Sequence, residues 1–241
     1  MVNLYDEQML EDNIDLCYEF NRFLLRHKIE LFFPWIAKAK GIEPIIDVGC
    51  GTGEMVREIS WKFDGEIFGV DPDEERIEKA KHLAPRVKFR VGEFEELTWP
   101  IFRAIVSSHV LEHSKEPVRF LACCRNHLTS DGILIVSVPN ALSLHKRLGD
   151  LLGLSTPYSL NTTDIATGHH HVFDHNKLSM MIQAAGFDII YSRGLMLKPF
   201  PSAMMIEHFE EPLFEAFYQI GDDPVLRDYC ASLMFVARPR R

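Results

Sequence analysis

Three stretches of this sequence carry residue types that could do chemistry, and each follows a run of β-forming residues. In the first, Pro44-Ile45-Ile46 leads into Asp47-Val48-Gly49-Cys50-Gly51-Thr52-Gly53-Glu54. Glycines at a strand-to-helix turn let the chain bend sharply and let a ligand approach the backbone with no Cβ in the way. The dinucleotide fingerprint G-x-G-x-x-G would need glycines at 49, 51 and 54, but position 54 is Glu and the third glycine is Gly53. A carboxylate there opposes a pyrophosphate and favours a cofactor that lacks one. The second stretch, Ile67-Phe68-Gly69-Val70-Asp71-Pro72-Asp73, brings Asp71 to the tip of the next strand. A carboxylate at that place lies beside the first turn and can accept hydrogen bonds from both hydroxyls of a ribose. Asp73 is better placed to cap the helix that follows.

The third group is histidines, of which the chain has 11. His109, Glu112 and His113 are spaced i, i+3, i+4 and share one face of a helical turn. In Gly168-His169-His170-His171-Val172-Phe173, an extended chain puts His169, His171 and Phe173 on one side and His170 on the other. Two readings stay open. In one, Glu112 and His113 anchor their turn to the core, and His171 holds its loop by hydrogen bonds. In the other, His109, Glu112, His113 and His171 bind a divalent metal. Three imidazoles and one carboxylate suit zinc, iron or cobalt better than magnesium, and such an ion would lower the pKa of a bound hydroxyl. With or without a metal, His109 and His171 are the candidate general bases.

These groups must be positioned by the elements between them. The first forty residues read as helix, with Leu16, Phe20, Phe23, Leu24 and Ile29 near helical spacing and Gly41 closing the segment. Strands are expected at 44–48, 66–70, 87–91, 103–108, 132–138, 187–193 and 230–237, with helices near 53–63, 73–82, 115–128 and 175–185. Such alternation implies an α/β fold: a doubly wound, seven-stranded, mostly parallel sheet with helices on both faces. Residues 1–40 are expected to form a helical lid on a domain of residues 41–241. Two insertions break the alternation and read as further lid segments: 140–171, with a short helix at Leu142–Leu152, and 196–226. Phe32, Phe33 and Trp35 are expected to pack the lid, with Tyr5 and Tyr158 as further candidates. The methionine-rich run 195–205 and the Cys123-Cys124 pair read as core.

The chain resembles the class I methyltransferases that use S-adenosylmethionine (SAM), whose first motif reads acidic-x-G-x-G-x-G. Asp47, Gly49, Gly51 and Gly53 occupy those positions. The resemblance implies that the turn packs against the amino-acid end of SAM, with Asp47 helping to hold its ammonium. It places Asp71-Pro72 at the ribose, Glu93 at the adenine amino group, and the Phe94 backbone N–H and ring at the base. Ser108 and His109 then end strand four beside the transferred methyl. The likeness extends to the ubiquinone-biosynthesis branch through Val110-Leu111-Glu112-His113, Val138-Pro139-Asn140, the His169–His171 run and Ala184-Ala185-Gly186-Phe187. That branch has its last strand antiparallel. Arg103 departs from it, standing where the family commonly has Asp, on the sheet rather than in the site. The metal reading resembles small-RNA 2′-O-methyltransferases, which have Glu-x-x-Glu-His after strand four; His109 replaces the first Glu here.

Composition narrows the field. Lys and Arg number 26 against 35 Asp and Glu, a formal net charge of −9, so no nucleic-acid partner is expected. No apolar run is long enough to span a membrane, and the acidic N-terminus lacks a secretory h-region. Five cysteines without a CxxC pair suit a reducing cytoplasm. The expected activity is transfer of a methyl group from SAM to an oxygen, or a nitrogen, of a small molecule. No Asn-Pro-Pro-Tyr tetrad follows strand four, which weighs against base or amide N-methylation. The alternatives are metal-dependent RNA 2′-O-methylation, opposed by the acidic charge, and SAM binding without catalysis.

Overall fold

The computed structural model describes residues 14–154, 156, 158–160 and 162–240, so Tyr5 and the first part of the expected N-terminal lid lie outside the described residues. Helix α1 spans Ile14–Lys38. Then follow β1 (Ile45–Val48), α2 (Glu54–Lys62), β2 (Ile67–Asp71), α3 (Glu74–Leu83), β3 (Lys88–Val91), β4 (Phe102–Ser108), α4 (Pro117–Asn126) and β5 (Leu128–Pro139). The chain continues through α5 (Leu144–Leu151), α6 (Thr162–Ala166), α7 (His175–Ala184), β6 (Phe187–Leu197), α8 (Ser202–His208), α9 (Glu211–Gln219) and β7 (Cys230–Pro239).

The seven strands form one sheet in the order β3-β2-β1-β4-β5-β7-β6. β1 (Ile-Ile-Asp-Val) and β2 (Ile-Phe-Gly-Val-Asp) are buried along their whole length, as central parallel strands covered on both faces must be. β3 closes one edge and exposes Lys88 and Arg90, charges that discourage further pairing. The first five strands in that order run parallel, and β7 pairs antiparallel with both β5 and β6. The last strand is therefore inserted between its two neighbours rather than added at an edge.

Alternation along the strands sends side chains into two cores. On one face Phe102, Ile105 and Leu134 meet Phe94, Trp99, Phe120, Leu121, Phe173 and Leu178. On the other, Ala104, Val106 and Ile135 meet Phe32 and Ile36 of α1, Val56 and Ile59 of α2, and Met205 and Phe214 of the 196–226 insertion. Met196 and Met205 are buried, as expected of a core-filling run, and Cys124 is fully buried while Cys123 packs against it.

Boundaries differ locally. α4 starts at Pro117 rather than 115, since a proline suits a first helical turn, where its missing N–H is not needed. β5 starts at Leu128 rather than 132, continuing through Thr129-Ser130-Asp131 past a register shift between Phe102 and Ala104 of β4. The short helix is Leu144–Leu151, narrower than 142–152, because Asn140 Oδ1 accepts from the Leu142 amide and holds a turn there. Among the described residues no helix is long and apolar enough to cross a membrane.

Candidate active site

The first turn is built as its glycines require. Gly49, Gly51 and Gly53 all have positive φ, at 70°, 53° and 86°. A Cβ on Gly49 would lie 2.2 Å from a Val110 methyl, and one on Gly53 would lie 2.9 Å from Ala80 Cβ. Gly51 differs: a Cβ there would meet nothing within 4 Å. Two of the glycines thus let the turn pack down on the protein, while the middle one faces open space where a ligand can run.

Two acids lie under and beside this turn. Asp71 is 6% exposed; its Oδ2 accepts from the Gly51 amide at 2.9 Å and its Oδ1 from the Asp73 amide at 3.0 Å. Each oxygen keeps a lone pair for a ribose hydroxyl. Asp73 caps α3 by accepting from the Arg76 amide, as expected. Asp47 is buried with both carboxylate oxygens lacking a hydrogen-bond partner. Burial, reinforced by the nearby Asp71 charge and opposed by Lys28, pushes its pKa up to about 8. A ligand ammonium would supply the missing counter-charge, so the cradle and the orphaned acid both fit the amino-acid end of SAM.

At the tip of β3, Gly92 donates its amide to the Asp71 carbonyl at 3.0 Å, and Glu93 follows exposed. The Phe94 ring corrects one expectation. It is 2% exposed and stacks on Trp99 in the core, so it has no face for a base, because a 3-10 turn at Phe94–Glu96 rotates it inward. Pro72 is exposed at the tip of β2.

The β4 tip carries the candidate chemistry. His109 is not part of a helical turn: its φ is +60°, and the turn begins after it, with the His113 amide donating to the Val110 carbonyl. A non-glycine residue held there is strained, a feature that clusters at functional sites. Its Nδ1 nevertheless lies 3.3 Å from Glu112 Oε1 and its Nε2 lies 3.4 Å from Ser232 Oγ. Burial and then the Lys28 charge lower its pKa, against the pull of Glu112, which favours the neutral imidazole. Ser108 Oγ lies 2.9 Å from Ser137 Oγ and accepts from Lys28 Nζ at 3.3 Å.

Lys28 was not found from the sequence. It reaches the site from α1, and burial lowers its pKa although Glu112 and Asp47 pull it up. The available signal was a lone cation with apolar residues, Leu24 and Phe32, four positions to either side.

The histidines also sort differently from expectation. Glu112, His113 and His169 each offer a ligand atom within 4.8 Å of the others, whereas neither His109 nor His171 joins them. For His171 the cause is backbone pairing. The amides of His170 and His171 both donate to the Glu112 carbonyl, at 2.8 and 3.2 Å, which lays the strip against the turn with His169 rather than His171 beside His113. His171 Nε2 is buried without a hydrogen-bond partner, and His169 stands edge-on to His113 with ring centroids 4.7 Å apart. His113 Nδ1 lies 3.2 Å from the Gly168 carbonyl and His169 Nδ1 lies 3.3 Å from Asp164 Oδ1. Such partners leave Nε2 as the coordinating atom. Glu112 is 1% exposed, and neither carboxylate oxygen has a hydrogen-bond partner. The donor set fits a divalent cation.

A cavity of about 520 Å³ lies away from the glycine turn, lined by Phe20, Phe23, Arg26, Ile206, Phe209 and Phe214, where α1 meets the 196–226 insertion.

A family model described as a methyltransferase domain matches residues 18–192. The chain is 28% identical over 170 residues to the mitochondrial ubiquinone biosynthesis O-methyltransferase of Bos taurus, an alignment covering 65% of this chain and 44% of that protein. The chain thus spans less than half the length of that relative. Among solved structures it is similar to a SAM-dependent methyltransferase from Mesorhizobium loti, with TM-score 0.60 and 17% identity over 83% of this chain and 92% of that one. It is also similar to the plantazolicin methyltransferase in complex with a triazolic desmethylPZN analog and SAH, with TM-score 0.64 and 15% identity over 98% and 92%. At such identities the structural likeness speaks to the fold.

Proposed function

From the premise that the chain belongs to the class I SAM-dependent methyltransferases, we propose that it methylates an oxygen of a small-molecule acceptor, with nitrogen the second choice. The observation that carries this reading is the placement of His109 at the tip of β4, 3.3 Å from Glu112 Oε1 and next in the chain to Ser108, which accepts from Lys28. When bound, SAM supplies an electrophilic methyl group for in-line displacement. Asp47 neutralises the ammonium of the cofactor, Asp71 holds its ribose, and Glu93 with the Phe94 backbone N–H meets its base. His109 takes the proton of the acceptor hydroxyl, with the Glu112 carboxylate 3.3 Å away offsetting the positive charge that results. His171 is the second base candidate.

The Glu112–His113–His169 cluster favours a metal-assisted version of the same reaction. These residues would hold a divalent ion, which would supply a Lewis-acid contact for an acceptor oxygen. The lid comprises residues 1–40 and the insertions 140–171 and 196–226, and the aromatic cavity between α1 and α8–α9 is room for an apolar part of the acceptor. The free thiols of Cys50, Cys123, Cys124 and Cys230 suit a reducing compartment such as the cytoplasm.

The test is transfer of an isotopically labelled methyl from SAM to a panel of phenols, carboxylic acids and amines, with and without a chelator. Methylated oxygen supports the proposal, and sensitivity to chelation selects the metal-assisted version. Tight SAM binding with no turnover of any acceptor points instead to a binding protein.

A further inference from the structure

Outside the groups used so far, two ammonium groups and an imidazole converge just beyond the same edge of the sheet. His145 and Lys146 lie in the first turn of α5, and Lys198 follows the last residue of β6. The two segments are tied together, since the His145 amide donates to the Lys198 carbonyl at 3.1 Å. Among the described residues no carboxylate is paired with Lys198. His145 Nδ1 is buried without a hydrogen-bond partner, and so is Ser143 Oγ, although Ser143 occupies the N-cap of α5, where its hydroxyl would ordinarily cap the helix. Burial first, and then mutual repulsion, holds Lys198 down to about 8 and His145 down to about 3. Grouping like charges in a partly buried place is unfavourable unless an anion offsets them.

Strand register puts the cluster on the active edge. Ser232 of β7 pairs with Pro139 of β5 and with Leu195 of β6, and its hydroxyl lies 3.4 Å from His109 Nε2. Lys198 stands just past Leu195, beyond the end of that ladder. A second route links the same places. Lys146 Nζ lies 3.9 Å from Asp164 Oδ2, Asp164 holds His169 Nδ1, and His169 abuts His113.

We infer that Lys198, Lys146 and the first turn of α5 form the binding site for an anionic group, carboxylate or phosphate, carried by the acceptor whose other end meets His109. Two ammonium groups beside an unpartnered, buried serine hydroxyl are what such an anion recognises. The word acceptor rests on the methyl-transfer reading; the anion site does not.

The test is calorimetry and thermal denaturation of the protein saturated with SAH, using benzoate, its neutral isostere benzamide, and inorganic phosphate as probes. SAH alone must first raise the melting temperature; if it does not, the cofactor reading has failed, and the anion titrations still stand by themselves. We expect benzoate to bind and benzamide not to. Lys198→Met should weaken benzoate by about tenfold or more while raising the melting temperature of the ligand-free protein, because an uncompensated cation is removed. Lys146→Met supplies a second variant should the first misfold. Equal binding of benzoate and benzamide, or benzoate binding unchanged in both variants, overturns the inference. Inorganic phosphate binding that is lost in the same variants supports the anion site; phosphate binding unchanged in both variants marks an adventitious ion only and counts against it.

Discussion

The two halves of the sheet's active edge are built on different plans. Over β1, β2 and β3 the ligand surface is mostly backbone: a turn with three positive-φ glycines, whose Gly51 amide is held by Asp71. Over β4, β5, β7 and β6 it is side chains, His109, Lys28, His169 and Lys198, delivered from four distant segments. A backbone cradle recognises what is constant among relatives, the cofactor. Side chains borrowed from insertions can be exchanged without disturbing the sheet, so they suit the acceptor, which varies.

Substitutions can break that division. The largest effect is expected on the side-chain half: His109→Ala should lower kcat by about 100- to 10,000-fold while leaving SAH affinity nearly unchanged, as steady-state kinetics and calorimetry would show. Weakened SAH binding would mean that the halves are not separable. Gly49→Ala should do the reverse kind of damage. It adds a Cβ that collides with Val110 at an unfavourable φ, so chemical denaturation should show about 2–4 kcal/mol less stability and SAH binding should be lost. Asp71→Ala should weaken SAH by about 1–3 kcal/mol with folding retained; unchanged affinity by calorimetry would remove the ribose assignment.

The sharpest effect concerns pH. Asp47 has a folded-state pKa near 8, far above the ordinary carboxylate value, so the folded chain keeps a proton that the unfolded chain has released. Stability of the ligand-free protein should therefore fall as pH rises from about 4 to about 8, and Asp47→Asn should flatten that decline. Since a ligand ammonium favours the ionised acid, SAH affinity should rise with pH toward 8 by at most about tenfold per unit. Asp47→Asn should abolish that dependence if the ammonium contact is made.

The same division explains what could be read from the sequence. Glycine spacing, strand runs and the acids at strand tips are local signals, so the seven strands, the first turn, the position of Asp71 at the tip of β2 and the Asp73 cap were legible. Phe94 misled because its position in the motif says nothing of which way a 3-10 turn points its ring. His169 replaced His171 because a register is fixed by hydrogen bonds to the Glu112 carbonyl, far away in sequence. Lys28 and Lys198 reach the edge through helix packing and strand insertion, and neither leaves a periodic trace that identifies a partner.

The placement of β7 has a consequence for the order in which the molecule is completed during synthesis. Among the described residues β6 has β7 as its only neighbour in the sheet, so while the ribosome is still making residues 230–239, Phe187–Leu197 has no ladder to join. The cofactor cradle can close from the first two hundred residues or so, whereas Lys198 and Ser232 take their places only when the final strand slides in. A nascent chain arrested just before that strand should already retain SAH while lacking the Lys198 contact proposed for an acceptor's anionic group.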